Sequence, residues 1–386
     1  MKRVLLILSV LLFPTILLAQ TIKVGAEKWE NYQPLIQGKK IGLIVNQTST
    51  IGKQHIVDFL LSKQVEITKI FAPEHGFRGD HGAGEKVSSS KDPSTGIPIV
   101  SIYGKNKKPQ KSQLQDIEVM IFDIQDVGCR FYTYISTMHL AMEACAENNI
   151  PFIVLDRPNP NGDYIAGPVL KMQNKSFVGM HPIPVVHGCT VGELAQMING
   201  EKWLKDGVQC DLTIIEVDNY THAMPYSLPI APSPNLPNDK SIRLYPSLCF
   251  FEATSVSVGR GTDFPFQIAG FPSDTMGTFS FTPRSIPNAA PNPLHKGKKC
   301  YGIDYRTLDS IPHFSMQFFV DFYNKFAEKS QFLTRPKWLI KLYGTQEILP
   351  LVYGQANAEA IEKTWQNDLQ TYANMRKKYL LYPDFE

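Results

Sequence analysis

The sequence lacks the short motifs that mark the common nucleotide-binding, metal-dependent and serine-hydrolase sites. No GxGxxG follows the first apolar run, and the 386 residues contain no GxxxxGK[ST], GxSxG or HExxH. These absences argue against NAD binding, P-loop NTP hydrolysis, a zincin-type metal site and the nucleophile elbow of α/β-hydrolases. We therefore expect neither a nucleotide nor any other cofactor.

A large excess of charge is also lacking. There are 39 basic and 36 acidic side chains, and setting aside Lys2 and Arg3, which lie in a segment that we expect to be removed, leaves 37 against 36. Proteins that bind nucleic acid normally carry a basic face, so we expect no nucleic acid partner. The six cysteines stand singly, with no CxxC, which argues against zinc knuckles and leaves disulfide pairing open.

Residues 1–19 are predicted to be a signal peptide. A short basic start is followed by an apolar run that ends at Ala19, and the sequence then turns polar. An uncleaved anchor is the alternative, but Pro14 and the abrupt change in polarity favour cleavage before Gln20. We expect an exported, periplasmic protein with no stable membrane anchor.

The next two hundred residues alternate short apolar runs with segments of helical spacing. This alternation is typical of a parallel sheet covered by helices. Helices are predicted at His55–Lys63, Thr137–Asn148 and Val191–Leu204, the last with a capping box formed by Thr190 and Glu193. The predicted strands are Ile41–Asn46, Ile67–Ala72, Ile99–Tyr103, Val119–Ile124, Phe152–Leu155, Ile183–Val186 and Leu212–Val217.

A second region follows a stretch rich in Pro, Ser and Asn at residues 225–246, which indicates an ordered crossover. In this region Cys249–Val258 and Trp338–Tyr343 resemble strands, and Met316–Lys329 and Ala356–Tyr379 resemble helices. The chain is therefore predicted to be an α/β protein. It would have a Rossmann-like parallel-sheet domain at 20–246 and a smaller C-terminal α/β domain at 247–386, with the Pro-rich stretch near the cleft between them.

Polar side chains follow most of the predicted strands, at the point where each strand ends. Because ligands of an open parallel sheet bind beyond the carboxyl ends of its strands, these side chains predict one polar pocket. The alternative is that they only make turns and cap helices. The candidates for catalysis or substrate binding at the strand ends are Asn46, Glu74, His75, Asp123, Asp126, Asp156, Arg157, Asn159 and His187.

Glu74 is the first candidate for a catalytic acid. It follows an apolar strand within FAPEHGFRGD, where glycines let the backbone turn and a ligand approach. Asp123, ahead of Asp126 and Glu252, is the candidate for a second carboxylate, because glycoside hydrolysis commonly uses two. The alternatives for Glu74 are a helix cap or an ion pair with Arg78. A metal site formed by His75, Asp80 and His81 with Glu74 or His187 is a further alternative.

Two stretches contain further candidates for substrate binding. Arg130 and Tyr132 lie in FDIQDVGCRFYTY, although the arginine is equally suited to pair with a preceding aspartate and the aromatic rings to pack in the core. In EATSVSVGRGTDFPF, Glu252 precedes a compact turn with Arg260 and Thr262. A guanidinium in such a turn can bind a carboxylate through two parallel hydrogen bonds.

Taken together, the motifs resemble those of a known family, the NamZ-type exo-β-N-acetylmuramidases, classed as glycoside hydrolase family 171. The motifs that carry the resemblance are GLIVNQTS, FAPEHGFRGD, FDIQDVGCRFYTYI, DRPNPNG, PIPVVHGCTVGELA, APSPNLP and FEATSVSVGRGTDFPFQIAG, between residues 42 and 270. The resemblance implies release of single N-acetylmuramic acid units from the non-reducing end of peptidoglycan fragments. It also implies a Rossmann-like domain joined to a smaller α/β domain, with the active site in the cleft between them.

The resemblance also implies roles for individual residues. The family's proposed catalytic glutamate corresponds to Glu74, and Asn235 of APSPNLP is a candidate for substrate binding. The lactyl carboxylate of muramic acid gives a reason for an arginine in the site, for which Arg260 and then Arg130 are the candidates. Two other functions stay open: a metal-dependent deacetylase or amidase of wall fragments, and a non-catalytic periplasmic sugar-binding protein.

Overall fold

A seven-stranded sheet forms the centre of the chain in the computed structural model, which describes residues 21–74, 76–77 and 90–385. Three of its inner strands coincide with apolar, β-branched runs that are buried on both faces, whereas the strands towards the edges are more exposed. The strands of this sheet are β1 (Lys40–Val45), β4 (Glu66–Ala72), β5 (Ser90–Lys91), β6 (Pro98–Ser101), β7 (Val119–Asp123), β8 (Phe152–Leu155) and β9 (Leu212–Ile215). Two short strands, β2 (Thr50–Ile51) and β3 (Gln54–His55), form a separate hairpin.

The order of the strands confirms the predicted Rossmann-like architecture. It runs β5-β6-β4-β1-β7-β8-β9, and each neighbouring pair is parallel except β5 with β6. Counting only the six parallel strands along the chain, this is the order 3-2-1-4-5-6 of dinucleotide-binding sheets. The order reverses between β1 and β7, which is where a ligand crevice is expected.

Helices cover the sheet and form much of the second region. The Thr190 hydroxyl accepts the backbone N–H of Glu193 at 3.2 Å, and Glu193 accepts the N–H of Thr190 at 2.9 Å, which confirms the predicted capping box. The helices are α1 (Trp29–Ile36), α2 (Ile56–Ser62), α3 (Lys111–Leu114), α4 (Tyr134–Glu147), α5 (Val191–Gly200), α6 (Asp239–Leu248), α7 (Gln317–Lys325), α8 (Pro336–Tyr343), α9 (Ile348–Tyr353), α10 (Ala358–Lys363) and α11 (Gln366–Arg376).

The second region is smaller and mixed, as predicted. An antiparallel sheet in the order β10-β12-β11 is formed by β10 (Ile268–Phe271), β11 (Phe279–Phe281) and β12 (Cys300–Asp304). Phe251, Phe319 and Phe332 form an aromatic cluster beside it, with ring centroids between 4.9 and 6.4 Å apart. None of the helices in the described residues is long and apolar enough to cross a membrane.

Three predicted strands are wrong. Residues 183–186 form no strand, and Val186 makes only isolated bridges to Cys129 and Ala166. Cys249–Ala253 is a 3-10 helix, and Trp338–Tyr343 belongs to α8. Periodicity alone cannot tell a short buried helix from a strand, and Pro336, which opens α8, was the missed signal for its start.

All six cysteines lie in the described residues, are buried and are free thiols. Burial raises the pKa of Cys189 and of Cys210 to about 12, and that of Cys300 to about 11. A thiol that is both buried and protonated at neutral pH is a poor nucleophile. The cysteines therefore act as small apolar side chains in the core, although an exported location would permit disulfides.

We expect the native protein to be almost inert towards a thiol reagent such as DTNB at pH 7.5. After unfolding in guanidinium chloride without reductant, six thiols should react, because none is oxidised. The release of thionitrobenzoate at 412 nm measures both numbers. Recovery of four or fewer thiols from the unfolded chain would show that disulfides form and would contradict this assignment.

Candidate active site

A cavity of about 1040 Å³ lies where the carboxyl ends of β4 and β6 face the second region. Both parts of the chain line it. The central-sheet part contributes residues that follow β4 and β6 or precede α4, among them Glu74, Tyr103, Lys107 and Thr133. The second region contributes Glu252, Arg260, Arg335, Trp338 and Lys341, together with the proline-rich segment 289–294.

Glu74 lies on the wall of this cavity, two residues after β4, and its carboxylate is held by hydroxyl groups. Tyr103 donates to Oε1 at 2.9 Å, and Thr133 donates to Oε2 at 3.2 Å. Tyr134 donates to the main-chain oxygen of Glu74 at 3.3 Å. These bonds fix both the carboxylate and the backbone that carries it.

The hydroxyls beside Glu74 remain donors at all physiological pH values. Burial, and then the charge of Glu74, raise the pKa of Tyr103 and of Tyr134. The Thr133 hydroxyl makes no capping bond to its own helix, α4, which leaves it available to the carboxylate. Neutral hydroxyl groups therefore orient both oxygens of the Glu74 carboxylate.

The opposite wall carries an ion pair. Arg260 donates to Oε1 of Glu252 at 2.7 Å, and its guanidinium lies 5.0 Å from the centre of the Phe266 ring. Burial would lower the pKa of Arg260, but the charge and hydrogen bond of Glu252 outweigh that effect and raise it. The arginine is thus permanently charged and already has a carboxylate partner.

One face of α8 completes this wall. Arg335, Trp338 and Lys341 recur at intervals of three residues, which places them on the same side of the helix. Arg335 lies 5.4 Å from the centre of the Trp338 ring and donates to the main-chain oxygen of Glu252 at 3.1 Å. The described lining residues include four cations and two carboxylates, so the cavity favours an anionic ligand.

Five of the predicted site residues meet at this cavity, namely Glu74, Tyr132, Asn235, Glu252 and Arg260. The Tyr132 hydroxyl donates to the Pro232 oxygen at 2.7 Å, and Asn235 donates to the Ala289 oxygen at 2.9 Å. These two bonds tie the crossover to the segment before α4 and to the proline-rich segment 289–294. Both side chains therefore shape the cavity as well as line it.

Asp123, predicted as the second catalytic carboxylate, does not line the cavity. It is fully buried, and Arg157 donates to its two oxygens at 2.5 and 3.0 Å. Arg157 also donates to the Thr50 oxygen at 3.0 Å. Asn46, predicted as a binding residue, is buried nearby and accepts both the N–H and the hydroxyl of Thr48. The structure places these residues in a closed polar network.

Asp156 lies at the end of β8, away from the cavity and fully buried. It accepts hydrogen bonds from Thr190 at 2.7 Å, Tyr382 at 2.6 Å and the backbone of Gly192 at 2.8 Å. Burial raises its pKa to about 6 against the lowering effect of these donors. Asp156 thus anchors the start of α5 and the C-terminal segment.

Asp126, Asn159 and His187 are also buried outside the cavity. Asp126 accepts the N–H of Gly128 at 2.7 Å and lies 3.5 Å from Nε2 of His187. Asn159 donates to the Cys189 oxygen at 2.9 Å. These bonds hold the loops at the strand ends together. The three residues therefore have structural roles there.

Arg130 and Thr262 also have structural partners and do not line the cavity. Arg130 is completely buried and does not pair with Asp126; it donates to four main-chain oxygens, those of Pro168, Ile183, Leu342 and Tyr343, at 2.6 to 2.8 Å. Burial lowers its pKa to about 10. Thr262 donates to the Gly259 oxygen within its own turn at 2.7 Å.

His75, predicted to bind substrate, lies outside the described residues, as do the alternative partners Arg78, Asp80 and His81. The described residues contain no group of three or more His, Cys, Asp or Glu side chains placed to hold a metal ion. The metal alternative for Glu74 therefore depends on residues outside that part of the chain and needs a solution test.

Sequence reasoning missed Tyr103, Lys107 and Thr133. Tyr103 ends the third predicted strand, so the same argument that selected Glu74 would have selected it. No comparable pattern in the sequence marks Lys107 or Thr133. The loop that carries each of them reaches the site only through the tertiary fold. Trp338 was missed because Trp338–Tyr343 was predicted to be a strand, whereas it belongs to α8.

The chain is similar to proteins of one family over nearly its whole length. Residues 41–240 match the model described as "Exo-beta-N-acetylmuramidase NamZ, N-terminal", and residues 243–382 match the corresponding C-terminal model. The peptidoglycan β-N-acetylmuramidase NamZ of Bacillus subtilis (strain 168) is 37% identical over 373 residues, which cover 91% of this chain and 89% of that protein.

Two crystal structures of DUF1343 family proteins from Bacteroides fragilis NCTC 9343 are also similar. The first is 43% identical, with a TM-score of 0.88, and the match covers 95% of this chain and 100% of that chain. The second is 30% identical, with a TM-score of 0.79, and the match covers 94% and 99%.

The closed network around Asp123 generates a prediction. Replacing Asp123 by Ala leaves a buried guanidinium without its partner and should lower the free energy of unfolding by about 3–5 kcal/mol. Asp263→Ala, which breaks the exposed ion pair with Arg284, is the matched control and should change it little. Denaturant unfolding measures both. An Asp123→Ala protein of unchanged stability but without activity would place Asp123 in the chemistry instead.

Proposed function

This chain belongs to the NamZ family of exo-β-N-acetylmuramidases, and we propose that it releases single N-acetylmuramic acid units from the non-reducing end of peptidoglycan fragments. It is a glycoside hydrolase of the cell wall. The observation that carries the residue-level proposal is Glu74, a half-buried carboxyl group on the cavity wall, oriented by Tyr103 and Thr133.

Glu74 is suited to act as the general acid. Hydrolysis breaks the bond between the anomeric carbon and the glycosidic oxygen, which leaves with a proton, and water supplies the hydroxyl on the anomeric carbon. Proton donation to the leaving oxygen requires a carboxyl group fixed at hydrogen-bonding distance. The bonds from Tyr103 and Thr133 supply that fixation for a carboxyl group that lines the cavity.

Glu252 takes the place that Asp123 was predicted to have. Among the described lining residues it is the other carboxylate, and it faces the cavity from the second region. Its bond to Arg260 holds it oriented, as a group that assists water or stabilises positive charge at the anomeric carbon must be. The cleft between the two regions thus brings together two carboxyl groups that are 178 residues apart in sequence.

The size and charge of the cavity support a substrate of this class. Its volume of about 1040 Å³ exceeds what one sugar ring needs, and pockets of about 300–1,000 Å³ hold most small ligands. Aromatic lining residues such as Tyr132 and Trp338 provide apolar surface for sugar rings. The surplus of cations suits the carboxylate that muramic acid carries and glucosamine lacks.

We propose that the protein is exported to the periplasm and matures by loss of residues 1–19, which lie outside the described residues. Mass spectrometry of the protein recovered from a fractionated Gram-negative host should find a chain that begins at Gln20, in the periplasmic fraction. Replacing the run Leu5–Leu8 with charged residues should leave an intact chain in the cytoplasm. A full-length chain in the periplasmic or membrane fraction would contradict this processing.

Replacing Glu74 by Gln should lower kcat/KM on a chromogenic β-N-acetylmuramide by about 10²–10⁴-fold, because the amide cannot donate the proton. The melting temperature should change little, since the Gln oxygen can still accept one of the two bonds and its NH2 group can donate to the other hydroxyl oxygen. Glu359→Gln, on the exposed face of α10, is the matched control and should leave the rate unchanged.

The same assay separates the other candidate functions. Chelation with EDTA should leave the wild-type rate unchanged, and a loss of activity on chelation would support a metal-dependent hydrolase. No release from the muramide by either protein, together with measurable binding of the sugar, would support a sugar-binding protein and contradict the proposed reaction.

A further inference from the structure

The loop that follows β6 brings two side chains into the cavity with different partners. Tyr103, at its start, binds the carboxylate of Glu74 at 2.9 Å. Lys107, four residues later, donates from Nζ to the main-chain oxygen of Gly104 at 2.7 Å and lies 5.0 Å from the centre of the Phe177 ring. Both residues line the cavity, so a fixed ammonium group belongs to the same loop as the tyrosine that binds Glu74.

The ammonium group of Lys107 is positioned but not neutralised. Its hydrogen bond to Gly104 uses one of three N–H donors, which leaves two for a ligand. No carboxylate of the described residues forms an ion pair with it, and the side chain is half-buried. A positive charge held in a partly enclosed cavity without a counter-ion favours the binding of an anion.

The other cations of the cavity are less suited to this task. Arg260 already has Glu252 as a carboxylate partner at 2.7 Å. Arg335 donates to a main-chain oxygen and lies against Trp338. The Lys341 side chain is exposed and makes no hydrogen bond within the described part of the chain, so ordering it around a ligand would cost more side-chain entropy than using Lys107.

We propose that Lys107 binds the lactyl carboxylate of the N-acetylmuramic acid unit and so selects this sugar over N-acetylglucosamine. The inference rests on the proposed function. The lactyl ether is what distinguishes the two sugars, and its carboxylate is the negative charge of the peptide-free unit. Lys107 thereby takes the role that sequence reasoning gave to Arg260 and Arg130.

The test compares a muramide that has a free lactyl carboxylate with its lactyl methyl ester, both as chromogenic β-glycosides. Wild-type protein should prefer the free acid by about 10-fold or more in kcat/KM, because a hydrogen bond between two charged groups is stronger than one to a neutral ester. Lys107→Gln should lose this preference through a raised KM for the acid, with little change on the ester. Lys107→Arg should restore part of the preference.

Lys105→Gln is the matched control, since Lys105 lies in the same loop but is exposed and does not line the cavity. It should retain the preference for the free acid. If Lys107→Gln also retains the preference while Glu74→Gln is inactive, the proposed reaction stands and the assignment of Lys107 is wrong. An equal loss of kcat on acid and ester would likewise overturn it, because that pattern indicates a purely structural role. Failure of the wild-type protein on both substrates would instead refute the proposed reaction.

Discussion

The buried ion pair between Asp123 and Arg157 determines where this fold can bind a ligand. In open α/β sheets the crevice lies where the strand order reverses, here between β1 and β7. The guanidinium binds both oxygens of Asp123 and the Thr50 oxygen, and so joins the ends of β7 and β8 to the hairpin that follows β1. Thr48 also donates to Asn46 and accepts the N–H of Gln125. Protein groups therefore bind one another where a nucleotide would otherwise bind.

Because protein groups fill that crevice, the space for a ligand lies elsewhere on the same edge of the sheet, beyond β4 and β6. There Glu74 and Tyr103 lie on the wall of the cavity, which residues of the second region also line. The wall of the cavity that contains α8 is held in place by Arg130, which donates to the last carbonyl groups of that helix. Gly344, with a φ of 96°, ends that helix directly against the guanidinium. Within the described part of the chain this buried arginine binds main-chain oxygens and no carboxylate, and it thus fixes the C-terminal end of α8.

Sequence reasoning succeeded for β1, β7 and β8 because these inner strands are buried on both faces and read as continuous apolar runs. It also selected Glu74, since a carboxylate after an apolar strand must lie at the carboxyl edge of the sheet. The same reasoning selected Asp123, Asp156 and Arg157, which lie at that edge but bind protein groups there. A sequence specifies which residues reach the edge, whereas the pairing among them depends on side-chain geometry that no periodicity records. The α8 wall was missed for a related reason, because a helix of eight residues is too short for its period to be distinct.

The two walls of the cavity have different structural support, and this division suits a glycosidase. Glu74 and Tyr103 lie within two residues of adjacent parallel strands, so the main sheet fixes their relative positions.

Gly104 has a φ of 80°, and no neighbouring atom lies within 4 Å of the position that a Cβ would take, so its backbone conformation is what requires glycine. That turn brings the Lys107 ammonium back to its own loop. The proposed roles of Glu74 and Lys107 place an acid and a cation on this rigid edge, where one terminal sugar unit would have to satisfy both. The second region, with α8, would then be left for the rest of the glycan. Such a division would make recognition of the terminal unit strict and that of the remaining chain loose.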